Sequence, residues 1–211
     1  MTNNIQGEKR QKGRIEVICG SMFSGKTEEL IRRLKRAKFA RQKVEIFKPA
    51  IDTRYSEEEV VSHDHTSILS TPVESSGAIM LLSSDIDVVG IDEAQFLSRE
   101  QVDQLARIVD DYGSNIVCYG LRTDFQSNMF EGSKRLFEIA DSIDEVKSTC
   151  SCGRKTIINA RIDKDGTVLT SRNQVEIGGY DKYIAMCRRC WRNRRLESAE
   201  KYSLFKDSHE D

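Results

Sequence analysis

The 211-residue sequence has no long hydrophobic run. No stretch approaches the roughly 20 consecutive apolar residues that a membrane-spanning helix needs. The polar segment 1–14 also lacks the apolar core of a signal peptide. We therefore expect a cytoplasmic protein that has no membrane partner. Its 38% hydrophobic and 32% charged residues predict a globular chain that forms one full domain and a small appendage.

An excess of charge of either sign is missing as well. The 33 Lys and Arg residues nearly balance the 34 Asp and Glu residues, and the formal net charge is -1. A protein that holds nucleic acid by bulk electrostatics needs a basic surface, so we expect no nucleic-acid partner. Basic residues do concentrate in segment 32–41. Leu30, Ile31 and Leu34 form an apolar stripe at helical spacing there, which indicates that the basic residues are the solvated face of a helix.

Histidine is also scarce. The chain has three histidines, of which His63 and His65 lie together without a cysteine nearby. This pattern favours a solvated loop, which we predict at 51–66, over a metal site. The six cysteines of a protein in a reducing compartment indicate metal binding or burial before disulfides. Cys19 and Cys118 lie inside predicted strands and are interpreted as core residues.

The most informative feature is the pattern G-x-x-x-x-G-K-T at 20–27. It follows a short apolar run and precedes a segment rich in helix-forming residues. In such a strand–loop–helix, backbone N–H groups bind phosphate oxygens, the lysine reaches the β- and γ-phosphates, and the last hydroxyl binds Mg²⁺. The dipole of the helix adds positive charge beneath the phosphates. The pattern therefore predicts a nucleoside triphosphate site that consists of Gly20, Ser21, Met22, Phe23, Ser24, Gly25, Lys26 and Thr27.

A second apolar run, 87–91, ends in Asp92 and Glu93. Acidic residues at the carboxyl end of a buried parallel strand lie at the edge where open α/β sheets bind ligands. In proteins with a phosphate-binding loop, this position holds magnesium. A weaker interpretation is that Asp92 only caps the next segment. We predict that Thr27 and Asp92 are the Mg²⁺ residues.

The remaining pattern is that of an α/β protein. A strand at 44–47 completes a β-α-β unit, which implies a parallel sheet. A capping box at 98–101 predicts a helix that ends near Asp111. Further strands are predicted at 67–73, 115–119 and 144–149, and further helices at 77–82 and 132–140. The predicted fold is a mostly parallel, P-loop NTPase-type sheet that has helices on both faces.

Phe125, Met129 and Phe130 lie close together in the loop after strand 115–119. At the ligand edge of a sheet, such a cluster lines a pocket for a flat ring. Alternatively, the same residues form a small apolar cluster that holds the loop in place. The sequence leaves both interpretations open.

The far end of the chain carries a C-x-C pair, Cys150 and Cys152, and a C-x-x-C pair, Cys187 and Cys190. Four thiolates suit tetrahedral Zn²⁺, and a site closed by sulfur leaves no position for water, so we predict a structural zinc. Unliganded or redox-active cysteines are the alternative. Between the pairs, an Asp-Gly turn predicts a hairpin flap that the metal anchors at its base.

These features divide the chain into four predicted regions. A flexible arm at 1–13 precedes a P-loop α/β domain at 14–149. A small zinc-binding domain at 150–192 follows, and residues 193–211 form a tail.

Together, these segments resemble the cytosolic, zinc-bearing thymidine kinase family. The resemblance rests on the phosphate loop, D-T-R-Y at 52–55, D-E-A-Q-F at 92–96, G-L-R-T-D-F at 120–125, the four cysteines and V-E-I-G-G-Y-D-K-Y at 175–183. It implies a zinc-held lasso domain beside the α/β domain and a homotetramer. It also implies transfer of the γ-phosphate of ATP to the 5′-hydroxyl of thymidine, which gives dTMP and ADP in nucleotide salvage.

The resemblance further implies roles for single residues. Glu93 would be the general base, Lys26 would neutralise charge on the transferring phosphoryl group, and Arg54 would add a phosphate contact. The ATP site would extend over Asp92, Glu93, Ala94 and Gln95. The thymine base would be enclosed and hydrogen-bonded by Met22, Phe96, Leu121, Phe125, Phe130, Gln174, Val175, Glu176, Ile177, Gly178 and Tyr183.

Two other functions share these motifs. A P-loop ATPase whose zinc ribbon binds nucleic acid is one, although the charge balance and the shortage of aromatic and basic residues beyond 191–195 argue against it. A kinase that acts on another nucleoside is the other, since it would use the same phosphate-binding residues.

Overall fold

The computed structural model describes residues 13–49, 59–61, 67–69, 71–73, 86–162, 167–169 and 183–193. The predicted helix at 77–82 lies outside the described residues, as do all of the predicted arm at 1–13 except residue 13 and all of the predicted tail at 193–211 except residue 193. Within the described ranges, no helix combines the length and the apolar character needed to cross a membrane.

The main sheet is parallel throughout. Its six strands are β1 (Ile15–Gly20), β2 (Val44–Pro49), β5 (Thr71–Val73), β6 (Val88–Ile91), β7 (Asn115–Gly120) and β8 (Ser142–Val146). They pair in the order β5-β2-β6-β7-β1-β8. The carboxyl ends of β1, β6 and β7 therefore lie side by side at one edge.

The described residues also form two smaller sheets. In one, β3 (Glu59–Val61) pairs antiparallel with β4 (Ser67–Leu69). In the other, β9 (Ile158–Ile162) lies between β10 (Val168–Leu169) and β11 (Tyr183–Met186), and both neighbours are antiparallel to it. The pairing of β9 with β10 agrees with the predicted hairpin, whereas β11 was not predicted.

Helices cover both faces of the main sheet, as predicted. On one face, Leu30 and Leu34 of α1 (Lys26–Phe39) pack with Ile18, Val117 and Tyr119. On the other face, α2 (Arg99–Tyr112) and α3 (Glu131–Ile139) bury Val102, Leu105, Ile108 and Leu136 against Val17, Ile91 and Ile116. Each large apolar side chain that is fully buried contributes about 1.5–3 kcal/mol. The basic residues Arg32, Lys35, Arg36 and Lys38 are exposed on α1, which confirms the solvated face.

The capping box of α2 is confirmed in detail. The Ser98 hydroxyl accepts a hydrogen bond from the Gln101 backbone N–H at 3.2 Å, and the Gln101 side chain accepts one from the Ser98 N–H at 2.8 Å. Gly113 follows the helix at φ 72°, in the left-handed conformation that ends helices. The helix thus ends at Tyr112, one residue after the predicted end.

Three predicted segments differ from the structure. Segment 67–73 forms two strands in two different sheets, and the predicted loop at 51–66 contains β3. Pro72 lacks an N–H group, so its strand pairs on one side only, and β5 is accordingly an edge strand. The last strand of the main sheet was predicted at 144–149 but is β8. As an edge strand it need not be apolar, and its first three residues are exposed.

Candidate active site

The loop that is predicted to bind phosphate connects β1 to α1. Gly25 has φ 85°, a backbone conformation that residues with a Cβ atom rarely adopt. A Cβ atom on Gly20 would lie 2.5 Å from the Ser24 hydroxyl and 2.9 Å from the Val146 carbonyl oxygen. Both glycines of the motif are therefore required by the way in which the loop folds back over the end of β1.

The interior of the loop fits phosphate oxygens. The Lys26 amine donates a 2.8 Å hydrogen bond to the Ser21 carbonyl, which holds its positive charge over the loop. Burial lowers the pKa of Lys26, and the negative charges of Glu93 and Asp92 act in the opposite direction. The Ser24 hydroxyl is buried and has no hydrogen-bond partner among the described residues. A buried donor of this kind is satisfied when an anion enters the loop.

Asp92 and Glu93 follow β6 at the same edge. Asp92 is buried, and its Oδ1 accepts a 3.0 Å hydrogen bond from the Glu93 N–H. Burial, together with the negative charge of Glu93, raises the pKa of Asp92 to about 7. The adjacent strand β2 places the buried Lys48 beside Asp92, and its positive charge partly opposes that rise. Lys48 was not among the site residues predicted from the sequence.

Glu93 is held in an unusual conformation. Its backbone has φ 52° and ψ 37°, a left-handed conformation that costs a residue with a side chain roughly 1–3 kcal/mol and is concentrated at functional sites. The Gln95 amide donates a 2.5 Å hydrogen bond to Glu93 Oε2, and Gln95 Oε1 accepts one from the Leu121 N–H at 3.0 Å. Gln95, itself buried, thus links the Glu93 carboxylate to the loop after β7.

Part of the predicted aromatic pocket is brought together. The Phe96 and Phe130 rings pack edge to face, with centroids 6.0 Å apart. Phe125 is fully buried beneath the Arg161 guanidinium, whose carbon lies 5.8 Å from the ring centroid. Met129 is 38% exposed, so it does not belong to this buried group.

The other residues predicted for the nucleoside site fall into two groups. Met22 and Leu121 are half-buried and lie at the same sheet edge. Tyr183 begins β11 and pairs with Arg161 of β9. Gln174, Val175, Glu176, Ile177 and Gly178 lie outside the described residues, as does Arg54, which was predicted to contact phosphate.

The four predicted cysteine ligands form one cluster. Their sulfur atoms all lie within 4.8 Å of one another, and those of Cys152 and Cys187 are 3.5 Å apart. A tetrahedral zinc with bonds of about 2.3 Å would separate its sulfurs by about 3.8 Å, so the cluster fits this ion. Burial raises the pKa of the Cys150 thiol, but hydrogen bonds from the backbone N–H groups of Cys152 and Cys187, together with those from the Cys152 and Cys190 side chains, lower it to about 7. The N–H groups thus favour the thiolate, which is the form that binds metal.

Cys19 and Cys118 are buried in β1 and β7. Burial raises the pKa of Cys118 to about 12, so this thiol is uncharged. The prediction that these two cysteines are core residues is confirmed.

Comparison with known proteins agrees with this geometry. Residues 13–191 match the family model described as thymidine kinase. The chain is 51% identical to a thymidine kinase of Bacteroides thetaiotaomicron, over 92% of this chain and 94% of the relative. It is 49% identical to a thymidine kinase of Porphyromonas gingivalis, over 90% of each chain, and 44% identical to one of a Rhodothermus species, over 88% of this chain and 84% of the relative. The chain therefore belongs to the thymidine kinase family.

Proposed function

We propose that this chain is an ATP-dependent thymidine kinase in which the Glu93 carboxylate acts as the general base. The reaction transfers the γ-phosphate of ATP to the 5′-hydroxyl of thymidine and gives dTMP and ADP. The observation that carries the proposal is the position of Glu93. Its negative charge acts on Lys26 of the loop, and the Gln95 amide donates a hydrogen bond to its carboxylate. Phe96, three residues further along the chain, packs against Phe130.

The Glu93 side chain provides the acid–base step. A carboxylate oxygen takes the proton of the 5′-hydroxyl as that oxygen forms a bond to the γ-phosphorus, and the bond from this phosphorus to the bridging oxygen of ADP breaks. The hydrogen bond from the Gln95 amide to Glu93 Oε2 holds the carboxylate in position. General-base catalysis of this kind contributes about 10²–10⁴-fold in rate.

The phosphate loop supplies binding and charge. Backbone N–H groups of the loop would hold the β- and γ-phosphates, Lys26 would neutralise charge on the transferring group, and Arg54 would add a further contact. Thr27 and Asp92 would hold Mg²⁺, which supplies charge neutralisation at the phosphate oxygens when bound. The buried, unpartnered Ser24 hydroxyl supports this assignment because it lies inside the loop.

The nucleoside side of the site is formed by apolar and backbone groups. Met22, Phe96, Leu121, Phe125 and Phe130 would enclose the thymine ring, and the backbone of 174–178 and Tyr183 would bind its polar edge. The cysteine cluster would hold a structural zinc at the base of this segment. A homotetrameric assembly and a cytoplasmic location, both implied by the family resemblance, belong to the same proposal.

A panel of nucleosides assayed for ADP release tests the proposal. We expect release with thymidine and little with purine nucleosides. Release with a different nucleoside only would identify a different kinase, and ATP hydrolysis that responds to DNA but to no nucleoside would identify a nucleic-acid-dependent ATPase.

Phe130→Ala and Met129→Ala form a matched pair for the pocket. Phe130 packs on Phe96, whereas its neighbour Met129 is exposed. The first substitution should raise KM for thymidine, and the second should leave it unchanged.

A further inference from the structure

Strand β9 extends from the small cysteine domain to the phosphate loop. Alternate residues of a strand point to opposite faces. Ala160 packs in the cysteine cluster, whereas its neighbour Asn159 reaches the larger domain. Asn159 Oδ1 accepts a 2.7 Å hydrogen bond from the Met22 N–H, and its amide donates one at 3.2 Å to the Thr123 carbonyl. One buried side chain therefore joins the phosphate loop to the loop after β7.

A second contact lies beside the first. The hydroxyls of Thr156 and Ser21 are hydrogen-bonded at 2.8 Å, and both residues are buried. Thr156 precedes β9 in the small domain, and Ser21 is the residue before Met22. Two consecutive residues of the phosphate loop are thus bonded to the small domain.

These contacts divide the phosphate loop into two halves. The second half continues into α1. The first backbone hydrogen bond there is donated by the Glu29 N–H to the Gly25 carbonyl. The first half is bonded to Thr156 and Asn159, and its Ser21 carbonyl also receives the Lys26 amine. The backbone N–H groups that bind phosphate must all point into the loop at once. Movement of the first half would disturb this arrangement, and it would also displace Lys26, because the Lys26 amine is bonded to the Ser21 carbonyl.

We propose that Asn159 and Thr156 are positioning residues for the phosphate loop, so that the small domain controls affinity for the nucleotide and not only for the nucleoside. The proposal rests on the proposed function for the identity of the ligand, a nucleoside di- or triphosphate. Neither residue belongs to the G-x-x-x-x-G-K-T motif of the loop, and both act through its backbone or through Ser21.

Binding of Mg-ADP, measured by isothermal titration calorimetry without nucleoside, tests the proposal. Asn159→Ala removes both of its hydrogen bonds, and Thr156→Val removes the hydroxyl while keeping the shape. Each should weaken ADP binding about 2- to 10-fold, the range expected for loss of one or two buried hydrogen bonds. Thr156→Ser keeps the hydroxyl and should bind ADP as the unmodified protein does.

A double-variant cycle isolates the contact between the hydroxyls. Ser21→Ala should weaken ADP binding to the same degree as Thr156→Val, and the double variant should be no weaker than either single one, because all three lack the same bond. Ser21→Ala changes the larger domain only, so it serves as the test if Thr156→Val fails to fold.

Unchanged ADP affinity in Asn159→Ala and in Ser21→Ala, with a raised KM for thymidine, would overturn the proposal and make Asn159 a residue of the nucleoside pocket alone. Since ADP binding is measured without nucleoside, this outcome is distinct from failure of the proposed function. An enzyme that phosphorylated another nucleoside would still show the expected loss of ADP affinity.

Discussion

The two domains are stabilised by different means. The larger one buries two apolar clusters, one on each face of its sheet, and residues such as Leu105, Ile108 and Ile116 are fully buried there. In the small domain, the buried cluster consists of Ala160, Val168 and Met186 together with Cys150, Cys187 and Cys190. Half of that core is cysteine. We therefore expect the large domain to fold on apolar burial, whereas the small one should require a metal bound to its thiolates.

Metal removal should show the largest difference in stability between the two domains. Structural zinc contributes about 10–16 kcal/mol of apparent binding free energy in small zinc-binding peptides. We expect a chelator to abolish amide-exchange protection in segments 150–162 and 183–193 and to leave it in β1 and β7, as measured by hydrogen-exchange mass spectrometry. The untreated protein should contain about one zinc per chain by elemental analysis.

A cysteine outside the cluster provides the control for metal removal. Cys187→Ser should lose both the metal and the protection of the small domain, whereas Cys118→Ala, in β7, should keep both. Full protection of segment 183–193 in metal-free protein would contradict the claim that the small domain depends on its ligand.

The smallest expected effect concerns the large domain alone. Ser98→Ala removes the capping side chain of α2 and should destabilise the protein by about 1 kcal/mol, measured by urea unfolding. Zinc content should not change, because the cap lies far along the chain from the cysteines. The exposed Ser142 in β8 gives the control: Ser142→Ala should change stability by less than about 0.5 kcal/mol. Loss of zinc in Ser98→Ala would show that the two domains do not unfold separately.

The features whose place in the fold agrees with the sequence prediction are local, while the functions predicted for them stay predictions. The phosphate loop, Asp92 with Glu93 and the capping box at Ser98 each depend on fixed spacing along one segment, and the cysteine pairs are chemically distinctive. Their positions in the fold follow from the rule that ligands bind at the carboxyl edge of a parallel sheet.

The features that were missed depend on contacts between distant segments. The edge strands β5 and β8 were predicted with the wrong bounds, because short strands that pair on one side only carry a weak apolar pattern. Gln95 was predicted in the ATP site, but its contact with the Leu121 N–H, 26 residues away, was not. Asn159 was not predicted at all, and its partner Met22 is 137 residues away. No local pattern specifies either contact. A weak signal existed in β9, where Asn159 and Arg161 alternate with apolar residues, as expected of a strand with one face turned to polar partners.

The proposed reaction depends most directly on the Glu93 carboxylate. Glu93→Gln keeps the shape of the side chain but cannot accept the 5′-hydroxyl proton, and Glu100→Gln, in the exposed first turn of α2, is the matched control. The decisive measurement is kcat for thymidine-dependent ADP release, taken together with ADP affinity. We predict that Glu93→Gln lowers kcat about 10²–10⁴-fold and leaves ADP affinity within about twofold, whereas Glu100→Gln changes neither. A kcat near that of the unmodified protein in Glu93→Gln would contradict the account.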